Sequence, residues 1–176
     1  KLRNFFIEEL KKFDQENLFY NVEIPLINEI IDMQFSGINL DINLLENMSN
    51  KLEIDLNEIE NTIHNIYPEK EFNLNSGKQL SEILVENLNA PPIKKTKTGI
   101  SVDAEVLEKY SKDKDLDERV QQISSGILKY RELAKLKSTY VDSLPSLVSK
   151  KTKKIHTTFN QIGTSTGRLS SQNPNV

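Results

Sequence analysis

A mainly α fold is what this sequence predicts: one long antiparallel helical hairpin with a small helical tip, followed by a β-strand and a loop. Three observations predict it. Two stretches, residues 43–66 and 116–140, carry apolar side chains at gaps of three or four. Between them lies a segment broken by cap and turn signals, which suits a tip where the chain reverses. An alternating run of β-formers occurs only after Pro145.

The elements are taken in chain order. Residues 2–20 read as a short helix with Leu2, Phe5, Phe6, Leu10 and Phe13 on one side. Ile24 to Phe35 reads as another. Pro25 suits its first turn, Leu26, Ile27, Ile30, Ile31 and Phe35 form a stripe for burial, and Gly37 stops it. Ile38 to Asp41 is a short extended link, with Asp41 or Asn43 as a cap for the first long helix. In that helix the stripe is Leu45, Met48, Leu52, Leu56, Ile59, Ile63 and Ile66, along a rod of ~36 Å. Tyr67-Pro68 ends it. The tip holds Asn73-Leu74-Asn75-Ser76 as caps, a short helix from Lys78 to Leu88 and a break at Ala90-Pro91-Pro92. A basic, turn-prone loop, Lys94 to Gly99, comes next, and then a helix capped by Ser101 and carrying Val106 and Leu107. The second long helix presents Leu116, Val120, Ile123, Ile127, Tyr130, Leu133 and Leu136. Gly126 weakens it by roughly 1 kcal/mol relative to alanine, a cost that a close helix contact explains. Lys150 to Lys154 is a charged turn, Ile155 to Ile162 a strand, and Gly163 to Asn175 a loop.

Composition narrows the function classes. The 176 residues include no cysteine and no tryptophan. Disulfides, thiolate metal sites and thiol nucleophiles are therefore excluded. Apolar content is 36%, below the roughly 45–50% of globular chains, a norm that also counts glycine. Elongated helices fit that figure better than a sphere. No apolar run approaches a membrane span and no signal-peptide pattern opens the chain, so the expectation is a soluble, cytoplasmic protein. The start at Lys1 without methionine and the stop at Asn173-Pro174-Asn175-Val176 raise the expectation of a piece of a longer chain.

Charge is unevenly spread. Residues 1–70 carry 6 basic and 14 acidic side chains, and residues 129–176 carry 9 basic ones against only Glu132 and Asp142. A basic final third on an acidic chain points to a polyanion met at one end, or else to a solvated lysine face.

Few residues suggest catalysis. Gly163-Thr164-Ser165-Thr166-Gly167 has the outline of a hydrolase nucleophile elbow, but no Asp, Glu or His follows Ser165 to complete a triad. His64 and His156 lack metal-ligand spacing and read as structural. Asn47-Met48-Ser49, a formal glycosylation acceptor, falls mid-helix. No carboxylate pair stands on a strand as a two-metal centre requires.

The basic half is more informative. Arg131, Lys135 and Ser138 are spaced four and three apart and share a helix face, so they can meet consecutive phosphates. The loop Lys94 to Ser101 offers lysines, hydroxyls and backbone N–H to a phosphate strand. Arg168 is alone in a glycine-serine loop, where a guanidinium can reach minor-groove acceptors or can anchor the loop through its carbonyls.

Longer strings of residues resemble a known family. Tyr130-Arg131-Glu132-Leu133-Ala134-Lys135-Leu136-Lys137-Ser138-Thr139-Tyr140, then Ile155-His156-Thr157-Thr158-Phe159-Asn160-Gln161, then Thr166-Gly167-Arg168-Leu169-Ser170-Ser171 and Asn173-Pro174-Asn175 resemble family A DNA polymerases of the bacterial polymerase I type. Glu23-Ile24-Pro25-Leu26 with Gly37-Ile38, Phe72 to Ser76, and Lys95 to Gly99 add to the likeness, which runs in order through the whole chain.

The resemblance implies a template-directed DNA polymerase of replication or repair, monomeric, in the cytoplasm at the bacterial nucleoid or in an organelle. It would extend primer-template DNA with dNTPs by two Mg2+ ions. Residues 1–38 would be the tail of an exonuclease-like domain with its connecting helix, 39–143 the thumb, and 144–176 the start of an α+β palm. Carried over by position, Asn73, Asn75 and Ser76 would touch the primer backbone, and Lys95, Lys97 and Ser101 would do so across the tip loop. Arg131, Lys135 and Ser138 would meet the duplex. Arg168 would read the minor groove of the terminal pair, with Asn175 close by. The catalytic aspartates and the nucleotide-binding helix would lie beyond Val176, so the segment alone should be inactive. The alternative is a non-enzymatic helical arm that grips nucleic acid or protein.

Overall fold

The computed structural model describes residues 2–96 and 99–176. They divide into two compact units, one of residues 1–42 with 143–176 and one of residues 43–142.

In the first unit, α1 spans Leu2–Lys12 and α2 spans Glu16–Leu18. Residues 2–20 are therefore not one helix. Asp14 turns left-handed (φ 53°) while Gln15 N–H donates to Leu10 O at 2.8 Å, which closes α1. Aspartate tolerates that conformation better than most side chains. A wide π-helical turn, Phe19–Glu23, joins α2 to α3 (Ile24–Ser36) without a break. Pro25 is thus not at a free helix start. Its ring would collide with the carbonyl four residues back in a regular helix, and widening the preceding turn removes that clash. Of the expected stripe only Ile30 is buried, and Phe35 is 82% exposed. The stripe on α1 is exposed as well, because the described residues place no apolar surface against it.

The C-terminal end of α3 is stitched to the chain after Lys150. Lys154 Nζ donates to Ser36 O (2.8 Å), and the His156 Nδ1–H donates to Gln34 O (2.8 Å). That assignment leaves Nε2 to accept from the Thr152 hydroxyl (2.8 Å). Helix-end carbonyls with no partner in the helix thereby gain cationic and imidazole donors. Gly37 (φ +66°) is required here, since a Cβ would come within 2.7 Å of the His156 ring. Ile38 and Ile155 exchange both backbone hydrogen bonds (2.8 and 2.9 Å). The expected strand 155–162 is shorter, and the segment read as loop contains a strand of its own. Thr158–Asn160 pairs antiparallel with Ser170–Gln172.

In the second unit, α4 runs Ile42–Ile66. Ser76 caps α5 (Gly77–Ser81), which widens into a π-helical turn, Glu82–Asn87, where one helix to Leu88 was expected. The basic loop is a ribbon, β1 (Lys95–Thr96) against β2 (Gly99–Ile100). Next come α6 (Ala104–Lys112), then α7 (Glu118–Leu136) with a π-helical turn at Lys137–Val141. The paired strands of the first unit are β3 and β4. The cap of α6 is Asp103, not Ser101, because the Asp103 carboxylate accepts from Val106 N–H at 3.1 Å.

The two long helices run antiparallel. The Ser49 hydroxyl donates to Asp142 (2.7 Å), Lys137 pairs with Glu53 (3.2 Å), Gly126 faces Ile63, and Arg119 pairs with Glu69 (3.3 Å). As numbers rise on one leg they fall on the other. The core gathers at the tip rather than along the legs: Ile63, Leu74, Leu80, Leu84, Leu107, Tyr110, Val120 and Ile123 are all but sealed. Tyr110 hands its hydroxyl proton to Pro91 O (2.7 Å), which fixes the break after Ala90.

Candidate nucleic-acid interface

Local turn chemistry leads into one wall of a groove at the tip, lined by Asn75, Gly77 and Lys78, while Asn73 lines a separate hollow with Glu60, His64 and Glu71. The Asn73 carboxamide oxygen accepts from Asn75 N–H (2.8 Å), and Asn73 N–H donates to Gln79 Oε1 (2.7 Å). Leu74, 1% exposed, anchors the turn from below. Ser76 Oγ accepts from Gln79 N–H (3.4 Å) as the helix cap. The turn uses the Asn73 oxygen but leaves its amide protons to donate outward, and the Asn75 side chain is exposed on the rim.

Opposite this wall stand Thr96, Gly99, Ser101 and Asp103, with Arg131 of α7 beneath, around a groove of about 870 Å³. Ser101 is fixed by its N–H to Lys94 O (2.8 Å), its Oγ accepts from Asp103 N–H (3.3 Å), and its hydroxyl also supports the Asp103 carboxylate. Arg131 is half-buried and donates to Val102 O (2.9 Å). Burial pulls its guanidinium below the usual range, against the opposing pull of Asp103. Four of its five N–H donors are left by that bond. Asp103 itself is held near 2, chiefly by Lys94 at 2.7 Å and then by Val106 N–H. Glu82 is paired with Lys70 (2.7 Å). These pairings quiet two of the carboxylates on the rim. The groove thus sets neutral donors beside two cations, Lys78 and Arg131, with Glu86 as a third carboxylate on its lining. Neutral donors of this kind position a phosphodiester strand without sequence preference.

The remaining expected residues scatter around it. Lys95 is exposed on β1, opposite Ile100 in the ribbon. Lys97 lies outside the described residues. Lys135 is exposed one turn beyond Arg131. Ser138 is exposed too, but its hydroxyl proton goes back to Ala134 O (2.8 Å), leaving only lone pairs to offer. Lys137 next to it is held by Asp142 (2.8 Å) and Glu53. Arg168 and Asn175 belong to the other unit. Arg168 is exposed in the loop between β3 and β4. Its carbonyl accepts from Thr164 Oγ1 (2.7 Å), while its guanidinium has no partner among the described residues. Asn175 Oδ1 accepts from the Ser171 hydroxyl (3.2 Å).

Sequence reasoning missed Lys78 on the groove wall and took in Thr96 only as one hydroxyl of the loop Lys94 to Ser101. The Lys78 signal was its place two residues after the Ser76 cap, which sets it on the first turn of a helix. Both histidines are tied to backbone carbonyls, His64 Nε2 to Phe72 O at 3.1 Å. Among the described residues no group of three or more His, Asp or Glu converges as a metal site needs, so they do not fit a two-metal centre. No helix of these residues is long and apolar enough to cross a membrane.

Comparison with known proteins bears on this geometry. Residues 42–176 match the family described as DNA polymerase family A. The chain is 42% identical, over 97% of its length, to a DNA polymerase I of Bacillus caldotenax, and 42% identical over 99% of its length to that of Bacillus subtilis. In each case it spans 19% of the relative. Among solved structures it superposes with a TM-score of 0.73 and 32% identity on the POL domain of Pol1 from M. smegmatis in complex with DNA primer-template and dNTP. That match covers 96% of this chain and 28% of the other.

Proposed function

From a chain that belongs to DNA polymerase family A, we propose a duplex-gripping and terminus-sensing segment of a template-directed DNA polymerase of replication or repair. Residues 39–143 are its thumb, 144–176 the start of its palm, and 1–38 the end of an exonuclease-like domain. The full-length protein extends primer-template DNA with dNTPs, as a monomer in the cytoplasm at the nucleoid. Two Mg2+ ions would supply Lewis-acid charge at the reacting phosphate, and the described residues offer no ligand set to hold them.

The observation that carries this reading is the groove at the tip together with the free guanidinium of Arg168. Asn73, Asn75, Ser76, Lys95, Lys97 and Ser101 hold the primer-strand backbone. Arg131 and Lys135 add charge along the same face of α7, and Ser138 accepts a water-borne hydrogen bond to the next phosphate. Arg168, with Asn175 near the strand end, donates to purine N3 or pyrimidine O2, which occupy similar places in every correct pair. A helical arm with no catalytic partner would have no use for a guanidinium held free in a strand-flanked loop.

The test is the salt dependence of duplex binding by the full-length protein. Lys135→Ala should weaken binding and lower the slope of log K against log salt by about 0.9, one phosphate's worth. An unchanged slope would show that Lys135 meets only solvent and would overturn the reading of this face.

A further inference from the structure

The turn Ser149–Lys154 does something the grip and the terminus-sensing loop do not use. It is closed on itself: Ser149 N–H donates to Lys154 O (2.9 Å), Lys153 N–H to Ser149 O (2.8 Å), and Thr152 N–H to Ser149 Oγ (3.3 Å). The Thr152 hydroxyl bonds His156, and Lys154 is spent on Ser36 O. Ile155 at its base is 1% exposed. Three side chains are left over. Lys150, Lys151 and Lys153 are exposed and make no ion pair among the described residues.

Two facts say that these lysines are not filler. Residues 143–176 carry five basic side chains and no acidic one, so the turn has no counter-charge from its own segment. Lys153 moreover takes a left-handed backbone (φ 59°), where glycine or asparagine would be free of strain. A long side chain kept at such a position, among like charges, at a cost to the fold, is the kind of outlier that marks a binding role.

We infer that Lys150, Lys151 and Lys153 form a second phosphodiester-binding site, distinct from the tip groove. The inference rests on the nucleic-acid reading of the proposed function. The turn fixes the backbone that carries the three lysines before any ligand arrives, so only their side chains remain to be ordered on binding. Its position fixes which phosphates it meets. The loop bearing Arg168 lies beyond Asn160 and Ser170, at the end of the β3–β4 pair away from the turn. Six extended residues, Ile155 to Asn160, separate the two by about 20 Å. That is about six nucleotide steps along one strand. The site therefore takes phosphates within about six nucleotides of the pair that Arg168 senses, either on the duplex or on the single-stranded template ahead of it.

The full-length protein tests this in two forms, Lys153→Gly alone and Lys150→Gln/Lys151→Gln/Lys153→Gly, with Lys135→Ala alongside. Binding is titrated with salt on a blunt primed duplex and on the same duplex with a ten-nucleotide template overhang. Lys153→Gly should raise the melting temperature, since strain is relieved, and yet lower the log–log slope by up to about 0.9. The triple variant should lower it by about 1.8–2.7 on duplex, or by about 1.4–2.1 only when the overhang is present, and the arm that responds names the strand. If the turn variants keep the parent slope on both DNAs while Lys135→Ala loses its unit, the second site is overturned and the grip stands. If Lys135→Ala also keeps the parent slope, both fall.

Discussion

Asp103 joins three local structures. Its carboxylate caps α6 through Val106 N–H, pairs with Lys94 across the mouth of the ribbon, and its backbone N–H binds Ser101 Oγ. The Lys94 ammonium, with the cap and the Ser101 hydroxyl behind it, holds the folded carboxyl near 2 against an ordinary 3.8. The folded group keeps its charge where the unfolded one has taken up a proton. Its stabilising effect is therefore complete above the unfolded value and is lost as pH falls from there towards 2. Asp103→Ala should lower the urea midpoint at pH 6, and the gap between variant and parent should narrow steadily as pH falls through about 2. A gap that stays constant across that range would separate the cap from the ionised carboxylate. The sequence suggested Ser101 for this cap because hydroxyl residues lead helices. It could not show that Ser101 and Asp103 act in series, since that depends on a left-over N–H that only the folded turn exposes.

At the scale of elements, α7 carries the small residues Ser124 and Gly126 on opposite faces, since positions two apart on a helix differ by about 200°. Ser124 is fully buried, and its hydroxyl has no partner among the described residues, an orphan cost of about 1–3 kcal/mol. Gly126 two positions on lies so close to Ile63 that a Cβ would stand 2.9 Å from its Cγ1 and Cδ1. Alanine there would gain about 1 kcal/mol of helix propensity. It would also overpack a site whose Ile63 neighbour is 1% exposed, at about 1–3 kcal/mol. The second effect wins, so Gly126→Ala should destabilise by about 1 kcal/mol and Gly126→Val by more, measured by urea unfolding. A stabilised alanine variant would mean that Ile63 can turn aside. This glycine was legible in the sequence because a glycine inside a long periodic helix costs propensity, and a neighbour too close for a Cβ offsets that cost. The apolar stripe on α3 was equally visible, yet Ile27, Ile31 and Phe35 are exposed. Periodicity states which face seeks burial and says nothing of what covers it. The π-helical turn before Pro25 was not legible, since a proline reads the same at a helix start and after a widened turn.

At the scale of the whole molecule, affinity and sensing are assigned to different residues, and that division can be measured. Under the proposed function the eight described grip residues, all in the unit of residues 43–142, are assigned to phosphates. Arg168, in the other unit, is assigned by the same proposal to bases. The family resemblance supplied the positions. Among the described residues the loop bonds Arg168 through its carbonyl and not through its guanidinium, which speaks against the loop-anchoring alternative for its side chain. Arg168→Ala removes a charge-assisted hydrogen bond, a group worth about 1.5–3 kcal/mol. If that bond forms fully only when the terminal pair has correct geometry, the loss appears in the rate of incorporation, as about ten- to one-hundred-fold. Duplex affinity, carried by many phosphate contacts, should change little. Single-turnover extension by the full-length variant, beside its equilibrium binding to the same primed duplex, separates the two. An unchanged extension rate would remove Arg168 from the sensing role. A loss of binding as large as the loss of rate would make it one more phosphate cation. Arg168→Lys keeps the charge but not the planar fork, so it should recover binding and only part of the rate.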